Sequence, residues 1–357
     1  MRKVSIKNLT PDMCLARPVL FQNTLLLNRG VDNLGKYVKF LTNIGIQSLY
    51  IEDSISEDID VTEIISETTL IKCRNVLQNT FDTFTNTGCL ETSALSTSSA
   101  VILDELLCRD DILVSLDNIG TTDASTLSHS MNVTIYALLL GTGLGYPKSR
   151  LRLLAEGAML HDIGKTVLDQ EILFKPGKLT PLEFAHIQKH SELGYEILKE
   201  NSLMSAVTKN VALYHHERLD GSGYPEGLKG DRIHAFARIV AIADIYDALT
   251  MDRCYHKALS SSAAVKILQH DAGLKLDPDF VCKFVSLLAI YPNGSLIRLS
   301  DERIAIVKHQ NHNMPFRPVI RVLREKDGTK VRPYEMDLTE TLAVKIADGD
   351  VQDTELL

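Results

Sequence analysis

A chain of 357 residues with a formal net charge of −8 and a pI near 5.8 exceeds one average domain. Its acidity excludes a general surface for nucleic acid or anionic membrane, so any anionic ligand must be held by local positive charge. With 45% hydrophobic and 24% charged residues the composition is that of a globular protein with a large core.

Six cysteines, Cys14, Cys73, Cys89, Cys108, Cys254 and Cys282, lack the paired spacing of zinc knuckles, and the N-terminus has no signal-peptide pattern. The most apolar window, residues 133 to 144, is too short to span a bilayer. These features predict free thiols and a soluble, cytoplasmic protein with no DNA, RNA or membrane partner.

Residues 1 to 60 alternate apolar and polar positions with turn punctuation: Val4 and Ile6, then 14 to 20, then Thr24-Leu25-Leu26-Leu27 ahead of Asn28-Arg29-Gly30. Short strands are predicted there. Helical spacing over 34 to 44 and a strand over 46 to 51 complete a small α+β N-terminal module with a regulatory or plain packing role. Residues 61 to 119 read as a helical connector, with Ile64, Ile65, Leu70 and Ile71 followed by Val101, Ile102, Leu106 and Leu107. The Thr/Ser-rich stretch 92 to 99 between them is a loop or a capped helix start, and the two helices pack within the chain or form a dimer-forming hairpin.

The chemistry lies in residues 120 to 290. A first core helix is predicted over 123 to 144, capped by Thr121-Thr122-Asp123, ended by Gly145-Tyr146-Pro147 and carrying His129. Alone, His129 is as readily a satisfied core histidine. A second helix over 150 to 161 leads into His161-Asp162-Ile163-Gly164-Lys165. Adjacent side chains leave a helix about 100° apart, so both His161 and Asp162 reach one metal cluster only if further ligands converge from other segments. Gly164 allows close approach of backbone or ligand, and Lys165 offers an ammonium to a phosphate.

Lys175-Pro176-Gly177-Lys178 is a turn, and Thr180-Pro181-Leu182-Glu183 joins a capping box to an N-terminal proline. The helix it opens is predicted to carry His186 and His190 on one face. A helix over 207 to 214 closes on His215-His216, and the glycines and proline of Leu219-Asp220-Gly221-Ser222-Gly223-Tyr224-Pro225 hold Tyr224 at a site mouth. The helix over 235 to 250 is apolar apart from Asp244 and Asp247, read as pointing in nearly opposed directions. A buried carboxylate needs a partner, and a cation explains Asp244. Arg253, His256 and Lys257 follow, then helices over 262 to 270 and 277 to 289. Imidazole suits iron, manganese and zinc while a carboxylate can bridge two ions, so the set predicts a two-metal hydrolase site. Residues 291 to 357 turn to strands over 296 to 299, 303 to 307 and 319 to 323, a small β-rich extension with an acidic tail.

Taken together, His129, His161-Asp162-Ile163-Gly164-Lys165, His190, His215-His216, Gly223-Tyr224-Pro225 and Asp244 resemble the HD-GYP family, a branch of the HD metal-dependent phosphohydrolases. The likeness spans residues 120 to 300 and includes Lys175-Pro176-Gly177-Lys178-Leu179-Thr180, Glu217-Arg218-Leu219-Asp220-Gly221 and Asp247-Ala248-Leu249-Thr250. Residues 1 to 55 are similar to the short N-terminal module that often precedes this domain. The resemblance implies a mainly α fold, with an HD-type helical bundle as the catalytic domain. It also implies hydrolysis of cyclic di-GMP to linear pGpG or GMP in bacterial signalling, using two divalent ions, iron or manganese. By carry-over, one ion takes His129, His161 and Asp244, the other His190, His215 and His216, and Asp162 bridges them. Asp162 and Lys165 are then catalytic, Lys165 stabilising charge on the phosphoryl oxygens, while Lys165, Tyr224, Arg253 and Lys257 contact substrate.

Two departures from the pattern bear on this. Ser125 stands where members with a third metal have a glutamate, so two metals are expected, and Cys254 and His256 replace a common proline and a basic residue beside the substrate. The alternatives are a catalytically weak cyclic di-GMP receptor that signals through its terminal units, a partner or a homodimer, and a hydrolase of another cyclic dinucleotide.

Overall fold

A computed structural model describes residues 1–21, 24–46, 48–61, 64–108, 114–115, 126–251, 258–312 and 314–347. Its contacts divide the chain into two units, one of residues 1–63, 113–123 and 288–357, the other of 64–112 and 124–287. Mainly helical architecture with small β-containing terminal segments is what the sequence predicts. No described helix is long and apolar enough to cross a membrane.

The first unit begins with β1 (Arg2–Ser5), β2 (Cys14–Leu15), β3 (Val19–Phe21), β4 (Thr24–Leu27), α1 (Val38–Asn43) and β5 (Ser48–Glu52). β5 lies between β1 and β2, antiparallel to both, with Val4 opposite Leu49. Its alternation puts Leu49 and Ile51 inward, onto Val4, Leu15, Leu34 and Leu41. The unit continues with β6 (Val114–Ser115) paired to β7 (Leu288–Ala289), then β8 (Leu296–Arg298), β9 (Ile304–His309), β10 (Val319–Arg324) and β11 (Lys330–Asp337), the last four forming one antiparallel sheet in the order β11-β10-β9-β8.

The two terminal segments, read from the sequence as separate modules, share a core. Ile59 and Val61 are buried against Ile306 and Leu323. The Lys3 N–H donates to the Gly294 carbonyl at 3.1 Å, and the Arg321 guanidinium grips both Asp58 carboxylate oxygens at 2.7 and 2.5 Å.

Among the described residues the second unit is built from helices: α2 (Glu67–Thr87), α3 (Ser93–Leu107), α4 (Thr126–Gly143), α5 (Lys148–Leu160), α6 (Gln170–Leu173), α7 (Pro181–Gln188), α8 (His190–Glu200), α9 (Ala206–Tyr214), α10 (Ala235–Thr250), α11 (Ser261–Asp271) and α12 (Pro278–Ser286). α4 is buried on every side from Ser130 to Gly141, the mark of a central helix, and packs against α5 and α10. Tyr136 of α4, Tyr246 of α10 and Phe284 of α12 interlock edge to face at 5.4 to 6.3 Å between centroids, and burying each ring contributes about 1.5–3 kcal/mol. This aromatic cluster fixes the height at which α10 presents its carboxylates. Thr180 and Glu183 form the expected capping box of α7.

Two local expectations are corrected, and a third is not tested. The helix over 277 to 289 stops at Ser286, because Leu288–Ala289 pairs with β6 as a strand. His186 and His190 do not share a helix: Lys189 tightens the chain with an N–H bond to the His186 carbonyl at 3.3 Å, α7 ends at Gln188 and α8 begins at His190. The expected cap at residues 121 to 123 lies outside the described residues.

Candidate metal centre

Five segments of the helical unit bring their chemistry to one place. α4 supplies His129, the end of α5 His161, and the turn after it Asp162 and Lys165; the first residue of α8 is His190, the end of α9 leads to His215 and His216, and α10 carries Asp244. His161, Asp162, His190 and His215 are all but inaccessible. Asp162 is the hub. Its Oδ2 lies 3.3 Å from His161 Nε2 and 3.6 Å from His129 Nε2, and its Oδ1 lies 3.4 Å from His190 Nε2 and 3.9 Å from His215 Nε2. Asp244 reaches both sides, 3.1 Å from His129 Nε2 and 3.7 Å from His216 Nδ1. The donors fall into two triads able to hold an ion, His129-His161-Asp162 and His190-His215-His216, the atoms of each within 4.8 Å of one another.

The backbone sets the tautomers. Nδ1 of His161 faces the Ala158 carbonyl at 2.7 Å, Nδ1 of His190 the Ile187 carbonyl at 2.7 Å, and Nδ1 of His215 the Ala212 carbonyl at 3.0 Å. A carbonyl only accepts, so each Nδ1 carries the proton and each Nε2 turns a lone pair inward. The Nε2 atoms of His190 and His215 then confront each other at 3.3 Å, an arrangement that repels unless a cation lies between them. His161 Nε2 and Asp162 Oδ1 are buried without a hydrogen-bond partner. Converging lone pairs, orphaned buried acceptors and two carboxylates fit divalent cations and no neutral filling.

Electrostatics agree. Burial lowers His190 to about 4 and His216 to about 3, against the pull of Asp162 and Asp244 respectively, so both imidazoles are neutral and ready to ligate at pH 7. Burial opposes ionisation of Asp162 and Asp244, but neighbouring histidines outweigh it and hold both carboxyls well below the usual range, with Lys165 adding to the effect at Asp162. His129 behaves differently. Burial would lower it, but Asp244 and Asp247 outweigh burial and raise it to about 9. A raised histidine stabilises the metal-free fold fully below its unfolded value of about 6.5, and that contribution is lost as pH climbs towards 9. The same proton competes with metal, so apparent metal affinity should rise about tenfold per unit between pH 7 and 9. Chelator competition at several pH values reads this directly, and a flat profile would contradict it.

Asp247 is the residue that sequence reasoning misplaced. Three positions apart on a helix means about 60° apart, and Asp247 turns to the same side as Asp244. Its carboxylate accepts from His129 Nδ1 at 2.6 Å and from Asn132 Nδ2 at 2.8 Å. Such a carboxylate orients the imidazole and raises its basicity towards a metal. The spacing from Asp244 held that signal.

Lys165 Nζ donates to Asp162 Oδ2 at 2.5 Å while remaining about one-fifth exposed, which leaves ammonium protons for an anion. Tyr224 stacks on His216 with centroids 4.7 Å apart and planes 30° apart. Burial, then Asp244 and Asp162, push its hydroxyl far above the ordinary tyrosine range, so it stays a donor. Arg253 and Lys257, together with Ser125, Cys254 and His256, lie outside the described residues. His186 on α7 belongs to neither triad. His186→Ala should therefore keep the full metal complement by elemental analysis, and a metal-free product would redraw the ligand set.

Residues 111–280 match a family model described as an HD domain, and residues 296–353 one described as a KOW domain associated with HD domain. The chain is 36% identical over 225 residues to a cyclic di-GMP phosphodiesterase of Pseudomonas aeruginosa, covering 62% of this chain and 54% of that protein. It is 40% identical over 157 residues to a cyclic di-GMP phosphodiesterase response regulator of Xanthomonas campestris, covering 44% and 42%. A 3'3'-cGAMP-specific phosphodiesterase of Vibrio cholerae is 35% identical over 168 residues, covering 47% and 36%. The chain spans about half the length, or less, of these curated relatives. In fold it resembles an HDGYP protein of Bdellovibrio bacteriovorus at a TM-score of 0.53 and 19% identity, covering 79% of this chain and 97% of that one. With the two histidine triads assembled around Asp162 in the matched segment, residues 111–280 form an HD domain that is similar to those of the HD-GYP family.

Proposed function

We propose that this protein is a cytoplasmic phosphodiesterase that opens the ring of a cyclic dinucleotide, with cyclic di-GMP as substrate and linear pGpG or GMP as product. The observation that carries the reading is the convergence of three inward Nε2 lone pairs, from His161, His190 and His215, with His129 and two carboxylates, beside an available ammonium and a stacked tyrosine. In this reading one divalent ion, iron or manganese, is held by His129, His161 and Asp244 and a second by His190, His215 and His216, with Asp162 shared. The pair supplies Lewis-acid polarisation of a phosphoryl oxygen and a water acidic enough to attack phosphorus at neutral pH.

The chain's own groups do the rest. Lys165 directs its remaining protons at the phosphoryl oxygens and offsets the charge that builds there. The protonated Tyr224 hydroxyl donates to the bound nucleotide, and its ring closes one side of the site. Arg253 and Lys257 are assigned to phosphate from their motif positions alone. Asp247 keeps His129 in the metal-binding tautomer.

Incubation with cyclic di-GMP and Mn2+ or Fe2+, followed by product identification, tests the reading. Linear pGpG or GMP should accumulate with two ions bound per chain. Bound metal with no product would overturn it, and three tightly held ions would overturn the ligand count. A second reading, hydrolysis of 3'3'-cGAMP, is favoured by the Vibrio cholerae relatives named for that substrate at 35 to 40% identity. Competition between the two nucleotides in one assay separates them.

A further inference from the structure

Glu217 is 2% exposed, follows His216 directly, and lies among backbone rather than cations. Both oxygens accept main-chain protons from the far side of the same loop: Oε1 from the Glu226 N–H at 2.8 Å and Oε2 from the Leu228 N–H at 2.9 Å. A buried carboxylate is costly unless its lone pairs are met, and charge-assisted bonds to amides are among the stronger ones. Together they tie residue 217 to residues 226 and 228, closing the loop that contains Tyr224.

The loop is drawn tight at its centre. A Cβ on Gly223 would lie 2.5 Å from Glu217 Cα, Arg218 N and His216 O, so the chain passes directly over the His216-Glu217-Arg218 backbone. The next residue, Tyr224, gives its N–H to the His216 carbonyl at 3.4 Å and lays its ring on the His216 imidazole. The outer side of the loop is held by a small cluster of Leu228, Ile233 and Ala237 with Tyr214 and Leu219, beside which the Leu219 N–H bonds the Lys275 carbonyl at 3.0 Å. That cluster anchors the loop to the bundle, while the two Glu217 carboxylate bonds, with the Tyr224 N–H bond to His216, hold its inner path.

We propose that Glu217 is a positioning residue: it clamps the 217–228 loop from beneath and so seats Tyr224 on His216 as the wall against which the nucleotide binds. The inference rests on the phosphodiesterase reading for its kinetic arm only. Glu217 touches no reacting atom. It acts through Tyr224, and its removal should weaken substrate binding more than turnover.

Glu217→Gln is the test, because the amide keeps the size and one acceptor but turns N–H donors onto a backbone N–H. Hydrogen exchange at the amides of Glu226 and Leu228 should accelerate by about 100-fold as the local opening becomes easier, while the metal content stays that of the wild type. KM for cyclic di-GMP should rise by about tenfold, the scale set by one charged hydrogen bond, with a smaller change in kcat. Tyr224→Ala should raise KM similarly without speeding exchange at those amides, and the double variant should be no worse than Tyr224→Ala alone. Gly223→Ala, which disturbs the same crossing by bulk, should reproduce the KM effect. Unchanged exchange in Glu217→Gln, or KM effects that add in the double variant, would overturn the proposal. A wild type that holds metal but does not hydrolyse cyclic di-GMP overturns the proposed function instead, and leaves the exchange arm to decide the clamp.

Discussion

Asp162→Ala should lose both metal ions and, with them, phosphodiesterase activity. Among the described residues no other carboxylate in the centre faces as many basic groups: Lys165 at 2.5 Å, His161 at 3.3 Å, His190 at 3.4 Å, His129 at 3.6 Å and His215 at 3.9 Å. Its two oxygens face different triads, so one substitution removes a ligand from each. Changes to groups that merely orient a metal ligand cost 10- to 100-fold in affinity or activity, and loss of a shared ligand should exceed about 100-fold in both. The cavity left by alanine is a second possible cause, which Asp162→Asn isolates, since the amide preserves volume and removes the charge. Both variants should emerge from purification with metal content near zero, and both should fold. An Asp162→Asn protein that retained two ions and turned over cyclic di-GMP would show that the hub is elsewhere.

The candidate ligands were legible in the sequence because each is a metal-binding residue type in an ordered string of motifs, and because the helices that carry them have local signals. Thr180 and Glu183 write the start of α7, and Gly145 with Pro147 writes the end of α4. What escaped depends on geometry or distance. Asp247 was given the wrong direction, although helical spacing puts it beside Asp244. The break between α7 and α8 has no glycine or proline at Lys189 to announce it, and follows from how α8 meets the turn bearing Asp162. β11 was missed because Pro333 argues against a strand interior, and it is tolerated there because β11 is the edge of its sheet. The union of the terminal segments rests on contacts such as Asp58 to Arg321, whose separation along the chain leaves no local trace.

Gly164→Ala should be the most damaging change that removes no functional atom. The turn between Asp162 and Lys165 crosses the first turn of α8 so closely that a Cβ at Gly164 would lie 2.0 Å from the His190 carbonyl oxygen and 2.6 Å from the Gly194 nitrogen. These are backbone atoms of a helix and cannot rotate aside, so either the turn or the helix start must move. One carries Asp162 and Lys165 and the other carries His190, and the movement needed is about the 1 Å at which misplacement costs on the order of 100-fold in rate. Overpacking costs 1–3 kcal/mol where side chains can adjust and more where they cannot. Gly164→Ala should therefore lose about 3 kcal/mol, a fall of roughly 6–12 °C in melting temperature for a unit of this size. Gly143→Ala supplies the comparison. Its Cβ meets the Leu287 Cδ1 at 2.5 Å and the Lys283 Cε at 2.9 Å, side-chain ends that can swing away on the far part of α4. It should melt close to the wild type and keep its metals. Thermal unfolding, metal analysis and turnover measured on the two variants side by side decide the matter, and a Gly164→Ala protein with wild-type melting and two bound ions would mean that the close crossing does not set the distance between Asp162 and His190.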